Sequence, residues 1–212
     1  MFISAPHVRI TGTGSYVPER VVTNEELEKT SPTTAAWVKE NLGINERRVV
    51  SSDGEFTSDL ALRAAVKALE SANLKPNDID LIIVATATPD RKAPSTACIL
   101  QEKLGVTNNS PAFDLAAVCT GFVYAMSLGA QSVESGSCKN VLVVGVDTFS
   151  TITDWNKRDC VFFGDGAGAV ILSRSSTPGL FSSVLKADGS GKDNFTVYPY
   201  DKYFTMNGKA LL

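Results

Sequence analysis

The clearest feature of the chain is a repeated succession of helical and strand-like hydrophobic patterns. Between Thr57 and Ala72, apolar residues recur at spacings of three and four, which predicts an amphipathic helix capped by Thr57 or Ser58. The next apolar run, Ile79–Ala85, is short and rich in branched side chains, as in a strand covered on both faces. A helix followed by a buried strand indicates a parallel α/β arrangement.

The same succession occurs twice more along the chain. Helices are predicted from about Ser95 to Leu104 and from about Thr120 to Glu134. The strands that follow them are Ala112–Leu115 and Val141–Val146, respectively. Three units of this kind predict an α/β fold.

Shorter elements are predicted before this region. Val8–Ile10 predicts a first strand that stops at the glycine-rich stretch 11–14. Two short helices are then expected, one after Thr23 through Leu27, and one that carries Trp37 and ends at Gly43.

Beyond residue 160 the pattern predicts strands near one edge of the sheet. They are segments 161–163, 169–172 and 180–185, with 164–168 as a tight turn in which Asp165 accepts backbone hydrogen bonds. Met206–Leu212 has the pattern of a helix's opening turn, which is too short to be stable alone. We therefore expect one domain over residues 1–212, with a carboxy-terminal half missing.

Composition and charge narrow the classes of partner. The chain has 212 residues, 43% of them hydrophobic, which is enough to bury a substantial core. The net charge is -3 and the basic residues are scattered, so we expect no nucleic-acid partner. There is no signal-peptide pattern, and no apolar run approaches the ~18 to 20 residues of a membrane span. We expect a cytoplasmic protein with no membrane partner.

The cysteines exclude two other kinds of site. Cys98, Cys119, Cys138 and Cys160 are widely spaced, and no CxxC pair occurs. His7 is the sole histidine, so neither a zinc site nor a disulfide framework is expected. We predict free thiols in a reducing compartment, and no metal.

Cys119 is the residue best placed for chemistry. The predicted strand Ala112–Leu115 leads to it, and an apolar helix follows, so its sulfur is expected near unpaired backbone N–H groups and the positive end of the helix dipole. That placement favours the thiolate, the nucleophilic form of cysteine. The alternative from the residues alone is a structural cysteine, since free cysteines are often buried and inert.

Several motifs together resemble one family. DLAAVCTGF at 114–122 resembles the active-site motif of β-ketoacyl-[acyl-carrier-protein] synthase III, a family of thiolase-like condensing enzymes. ITGTGSYVPERVVTNEEL at 10–27, GINERR at 43–48, FGDGAGAVIL at 163–172 and ADGS at 187–190 accompany it in the family's order and spacing. The likeness covers essentially the whole chain. It implies the amino-terminal half of a thiolase-like fold, an α/β structure with a mixed five-stranded sheet and helices on both faces.

The resemblance also implies an activity. Cys119 would take an acyl group from acyl-CoA, and malonyl-acyl carrier protein would then lose carbon dioxide and condense with it, initiating fatty acid biosynthesis. Coenzyme A enters as part of a substrate, and no cofactor is implied. The family's histidine and asparagine donors belong to the carboxy-terminal half, so this chain alone is expected to be inactive in condensation. His7 has no motif connecting it with that role.

Three further positions are implied to bind substrate. Trp37 and Arg158 correspond to the family's stacking partners for the adenine of coenzyme A, although 156–160 is a residue shorter than usual. Asn41 stands where a basic residue is common. Ala93 replaces a bulky aromatic in a loop that closes the partner's acyl pocket in the family's homodimer, so longer or branched acyl chains are expected to fit.

Two other functions remain open at this point. The chain could be a nonenzymatic partner subunit of a condensing enzyme, since the second half is missing. It could also be a thiolase-like synthase that makes quinolones, polyketides or hydroxymethylglutaryl thioesters by the same acyl-cysteine chemistry.

Overall fold

The computed structural model describes residues 7–51, 54–177, 179–180, 182–198 and 201–206. They form two compact units. The first comprises the described residues within 1–17, 54–147 and 166–185, and the second those within 18–53, 148–165 and 186–212. The expectation of a single domain stays a prediction, and the helix predicted to begin at Met206 lies almost entirely outside the described residues.

The secondary structure follows the predicted succession through the middle of the chain. The strands are β1 (His7–Tyr16), β2 (Arg20–Thr23), β3 (Glu46–Val49), β4 (Leu81–Ala85), β5 (Ala112–Leu115), β6 (Asn140–Thr148), β7 (Asp165–Ser175), β8 (Phe195–Thr196) and β9 (Thr205–Met206). The α-helices are α1 (Asn24–Leu27), α2 (Ala35–Leu42), α3 (Thr57–Ala72), α4 (Thr96–Leu104) and α5 (Gly121–Glu134). No helix in the described ranges has the length and apolar character needed to cross a membrane.

The first unit is built on a mixed five-stranded sheet, as predicted. Its strand order is β1-β7-β6-β4-β5. Strand β4 runs parallel to both β5 and β6, whereas β1 and β7 are antiparallel. The carboxyl ends of β5, β4 and β6 therefore meet at one edge of the sheet.

Helices cover both faces of this sheet, which confirms the expected layering. On one face, α5 packs against the cluster that contains Ile83 and Val143. The side chains of Ile82 and Val84 alternate to the other face and are fully buried. On that face, α3 lies so close to β1 that a Cβ atom at Gly12 would collide with the Ala68 carbonyl oxygen.

This close approach explains why the predicted first strand is wrong in length. The glycines at 12 and 14 indicate a turn in the sequence, but β1 continues through them to Tyr16. Glycine is required at both positions because α3 packs so close to the strand that a side chain there would collide with it. Stretch 164–168 is likewise not a turn, since β7 begins at Asp165 and passes through Gly166 and Gly168.

Three local predictions are also wrong. Phe56, not Thr57 or Ser58, is the N-cap of α3, and its backbone N–H donates to the Asp59 carboxylate at 2.9 Å. Residues 161 and 162 lie in a 3-10 turn, Arg158–Phe162, rather than a strand. Among the described residues of 180–185 no strand forms, although the Leu180 N–H donates to the Val8 carbonyl at 2.9 Å.

The second unit packs two short helices against a pair of antiparallel strands. Strands β2 and β3 are antiparallel, and the buried core includes Val22, Val38 and Cys160. Gly43 ends α2 in the left-handed conformation, as predicted. The expectation for Asp165 is confirmed, because its carboxylate accepts the N–H groups of Val50 and Ser150 at 2.7 and 2.8 Å.

Candidate active site

Cys119 lies at the carboxyl edge of the sheet, on the path from β5 into α5. It is the middle residue of a 3-10 turn, Val118–Thr120, and its side chain is exposed. The Thr120 hydroxyl closes this turn by donating to the Ala117 carbonyl at 3.0 Å. The sulfur is therefore accessible at the start of a fourteen-residue helix, as the sequence predicts.

The backbone just before Cys119 is strained. Val118 has a φ of 45°, in the left-handed region that β-branched residues rarely adopt. Such a conformation costs on the order of 1–3 kcal/mol and persists only where the surroundings impose it. The side chain of Val118 is exposed, so it gains little from packing that would offset this cost. A strained turn that presents one accessible thiol is typical of a nucleophile's setting.

Two aspartates organise the loops at the same edge of the sheet. Asp114, on β5, accepts the N–H groups of Thr96 and Ala97 at 2.7 and 2.8 Å, and so fixes the first turn of α4. Asp147, on β6, uses Oδ1 to accept four hydrogen bonds from residues 86–88, which follow β4. Burial has the largest effect on the pKa of Asp147 and raises it, whereas these hydrogen bonds act to lower it.

The loop that carries Ala93 begins from this anchored segment. The Thr88 carbonyl accepts the hydroxyl of Thr57 at 2.5 Å, and Asp90 accepts the N–H of Ser58 at 2.8 Å. Ala93 itself is exposed and precedes a cis Pro94. The loop is thus held at its base, while the position that the resemblance assigns to acyl-chain selection is open.

The second unit brings Trp37 and Arg158 into contact. The guanidinium carbon of Arg158 lies 4.1 Å from the centroid of the Trp37 ring. The preceding basic residue, Lys157, points instead to Asp154, with its Nζ atom 3.9 Å from the carboxylate. The side-chain amide of Asn41 donates to the Trp37 carbonyl at 2.9 Å, so it is hydrogen-bonded to the backbone of α2. The shortened stretch 156–160 therefore still presents an arginine to the indole.

Sequence reasoning missed the buried polar groups that support these positions. Arg47 is 6% exposed, although its position in the GINERR motif gives no indication of burial. Asp147 directly follows the predicted strand Val141–Val146, and the sequence pattern assigns it no role. The usable sequence signal was a charged residue within an otherwise apolar pattern, but burial of a charge is a tertiary property. His7 begins β1 and is exposed, and no group of metal-ligating side chains occurs within the described residues.

Comparison with known proteins points consistently to one family. A family model described as 3-oxoacyl-[acyl-carrier-protein (ACP)] synthase III matches residues 113–189. The β-ketoacyl-[acyl-carrier-protein] synthase III of Thiobacillus denitrificans is 56% identical over 186 residues, which are 87% of this chain and 58% of that protein. The protein of the same name from Alkalilimnicola ehrlichii is 50% identical over 217 residues, covering 97% of this chain and 67% of the relative.

Comparison with solved structures indicates the same family. The 3-oxoacyl-[acyl-carrier-protein] synthase III of Aquifex aeolicus superposes with a TM-score of 0.87 at 41% identity, covering 96% of this chain and 66% of that one. The priming β-ketosynthase of the R1128 polyketide pathway superposes with a TM-score of 0.91 at 32% identity, covering 100% and 66%. The chain thus spans 58% to 67% of the length of these four proteins.

Proposed function

The chain belongs to the 3-oxoacyl-[acyl-carrier-protein] synthase III family, and we propose that the protein initiates fatty acid biosynthesis as a β-ketoacyl-[acyl-carrier-protein] synthase III with Cys119 as its nucleophile. The observation that carries this proposal is the exposed Cys119 thiol on a strained turn between β5 and α5. It lies within the segment that the family model matches.

The first step is acyl transfer. The Cys119 thiolate attacks the carbonyl carbon of acyl-CoA, a new carbon–sulfur bond forms, and the bond to the coenzyme A sulfur breaks. Coenzyme A leaves as a thiolate and takes up the proton that Cys119 had lost. The dipole of α5 favours negative charge at its amino terminus, where the attacking sulfur lies.

The second step is a decarboxylative condensation. Malonyl-acyl carrier protein loses carbon dioxide, the resulting carbanion attacks the acyl carbonyl on Cys119, and the cysteine leaves as a thiolate. The product is a β-ketoacyl chain two carbons longer than the acyl primer. Developing enolate charge requires preorganised hydrogen-bond donors. We propose that a histidine and an asparagine of a further segment supply them, as the family resemblance implies, and that this chain alone does not condense.

The substrate contacts follow from the second unit and the Ala93 loop. Trp37 and Arg158 offer flat faces to a purine, so we assign them to the adenine of coenzyme A. The small, exposed side chain of Ala93 leaves room where a bulky residue would restrict the acyl chain. We assign the protein to the cytoplasm, as a homodimer that acts on acyl-CoA and malonyl-acyl carrier protein and uses no cofactor.

A second candidate function is the priming of a polyketide. The likeness to the R1128 priming β-ketosynthase extends over all of this chain. Both functions use the same acyl-cysteine, so they differ in the acyl chain and in the carrier protein that receives it.

The test is condensation by the protein joined to its carboxy-terminal half. Acetyl- or octanoyl-CoA is supplied with malonyl-carrier protein from fatty acid or polyketide synthesis, and the β-ketoacyl product is quantified. We expect product that Cys119→Ala abolishes, with the fatty acid carrier preferred. Preference for the polyketide carrier would favour the second candidate, and no acylation of Cys119 by any acyl-CoA would support a nonenzymatic subunit.

A further inference from the structure

Arg47 is a buried cation that has no carboxylate partner among the described residues. It lies on β3 in the second unit, and only 6% of its surface is exposed. In the part of the chain that the structure describes, it forms no ion pair. Burial lowers the pKa of its guanidinium because the charged form loses hydration. Burying a charge at this position costs free energy, so the contacts that the guanidinium makes must account for its presence.

The guanidinium binds three oxygen atoms on separate segments. Its Nη2 atom donates to Asn24 Oδ1 at 3.0 Å and to the Val161 carbonyl at 3.3 Å. Its Nη1 atom donates to the Val22 carbonyl at 3.4 Å. Asn24 extends the connection, because its Nδ2 atom donates to the Ile44 carbonyl at 2.7 Å.

These contacts reach both elements that carry the stacked pair. Val161 belongs to the same 3-10 turn as Arg158, which spans residues 158–162. Ile44 directly follows Gly43, the residue that ends the helix bearing Trp37. One guanidinium thus joins the Arg158 turn to the carboxyl end of α2 through Asn24.

We propose that Arg47 is a positioning residue that holds Arg158 against the face of Trp37. The consequence for coenzyme A rests on the proposed function, but the positioning itself does not. An arginine suits this role because its planar guanidinium donates in several fixed directions, whereas the ammonium of lysine is a compact point charge. Its Nε atom is buried without a partner in the described structure, and a methionine would fill similar volume without a buried charge. Stability alone therefore does not account for the guanidinium.

The positioning can be measured without a ligand. The chain has two tryptophans, so a Trp155→Phe background leaves Trp37 as the sole indole. In that background, Arg158→Ala exposes the Trp37 face to water and is expected to shift its fluorescence emission to the red. Arg47→Met should reproduce at least about half of that shift if the turn loses its main anchor. The matched control is Arg48→Met, which changes the adjacent arginine, whose Nη1 atom donates to the Pro18 carbonyl.

Arg47→Lys provides a second variant in case the methionine protein does not fold. It retains the charge as a compact ammonium but loses the planar guanidinium that donates in several fixed directions, so an intermediate red shift is expected. Circular dichroism identifies the variants that remain folded. Emission that is unchanged from the parent in a folded Arg47 variant overturns the proposal, whether or not Arg158→Ala shifts the spectrum. A shift of equal size in Arg48→Met overturns it as well.

A ligand measurement separates this inference from the proposed function. Calorimetric titration with coenzyme A should give a dissociation constant about tenfold higher for Arg158→Ala than for the parent, given the usual strength of base stacking. Unchanged coenzyme A affinity in both Trp37→Ala and Arg158→Ala would overturn the proposed nucleotide contact. The fluorescence result would still decide the role of Arg47.

Discussion

The guanidinium of Arg158 stacks directly on the indole of Trp37, with 4.1 Å between the guanidinium carbon and the ring centroid. Carbon atoms in contact are about 3.5–4.0 Å apart, so no purine fits between the two groups at this separation. The adenine sandwich implied by the family resemblance therefore requires the pair to open. Arg158 is exposed and is the more easily displaced partner.

Opening of this pair gives the first prediction. Coenzyme A should quench the fluorescence of Trp37 in Trp155→Phe protein, because adenine replaces or joins the guanidinium on the indole face. In the protein joined to the proposed carboxy-terminal segment, Trp37→Ala should raise the Michaelis constant for acyl-CoA about tenfold, while leaving that for acyl-pantetheine, which lacks the nucleotide, nearly unchanged. Equal losses with both substrates would contradict an adenine contact.

The strained turn gives a prediction about stability. Val118→Gly removes a left-handed conformation that costs about 1–3 kcal/mol, and this relief exceeds the 0.5–1 kcal/mol of extra chain entropy that glycine loses. The free energy of unfolding in urea should therefore stay constant or rise by about 1 kcal/mol. Val123→Gly is the matched control, since Val123 is equally exposed on α5 but lies within the helix. It should lower the free energy of unfolding, and a similar loss in Val118→Gly would be evidence against strain.

Asp147 gives a pH-dependent prediction. Burial raises its pKa in the folded state above the ordinary value of 3.8, so the folded protein holds this proton more tightly than the unfolded chain does. The associated stability is present at pH values below 3.8 and is lost as the pH rises through the raised pKa. The free energy of unfolding of Asp147→Asn should therefore rise relative to that of wild type as the pH increases through this interval. The difference should then level off at higher pH.

Urea unfolding at a series of pH values measures this effect. Asp188→Asn is the comparison, because the backbone hydrogen bond from Ser190 lowers the pKa of Asp188 and should give a slope of opposite sign. A pH-independent difference between wild type and Asp147→Asn would show that the Asp147 carboxylate titrates alike in both states.

The middle of the fold was predictable because local patterns and tertiary packing agree there. The spacing of apolar residues predicts nearly the whole of helix α3, with only its N-cap misplaced by one or two residues, and the buried strands β4 and β6 follow from runs of branched side chains. At Gly12 and Gly168 the local signal indicated turns, yet both residues lie inside strands. The reason at Gly12 is the approach of α3, which no local pattern contains.

The candidate site also has one part that the sequence predicts and another that it does not. Cys119 could be found from sequence because a strand, a cysteine and a helix follow one another directly. The left-handed backbone of Val118 could not be, since a β-branched residue is a poor indicator of that conformation. The role of Arg47 could not be predicted either, because two adjacent arginines are usually both solvated. The structure shows that Arg47 is buried and that Arg48 is not.

Ala93 gives a prediction about acyl-chain length. The protein joined to the proposed carboxy-terminal segment should use octanoyl-CoA at a rate comparable to acetyl-CoA, because the family resemblance assigns this small residue to the acyl pocket. Ala93→Phe should shift the ratio of the two rates towards acetyl-CoA by at least about tenfold, since even one methylene group of lost space discriminates by about that much. Arg91→Phe, in the same exposed loop, is the control and should leave the ratio unchanged. A strong acetyl preference in the unmodified protein would reject the assignment.

Transfer of an acyl group to Cys119 is the most direct test of this residue as the nucleophile. The protein is incubated with acetyl-CoA, its intact mass is measured, and the modified cysteine is located by peptide mapping. We expect one acetyl group on Cys119, lost in Cys119→Ala and retained in Cys98→Ala. An acetyl group that persists in Cys119→Ala, or a protein with its carboxy-terminal half that never gains one, would contradict it.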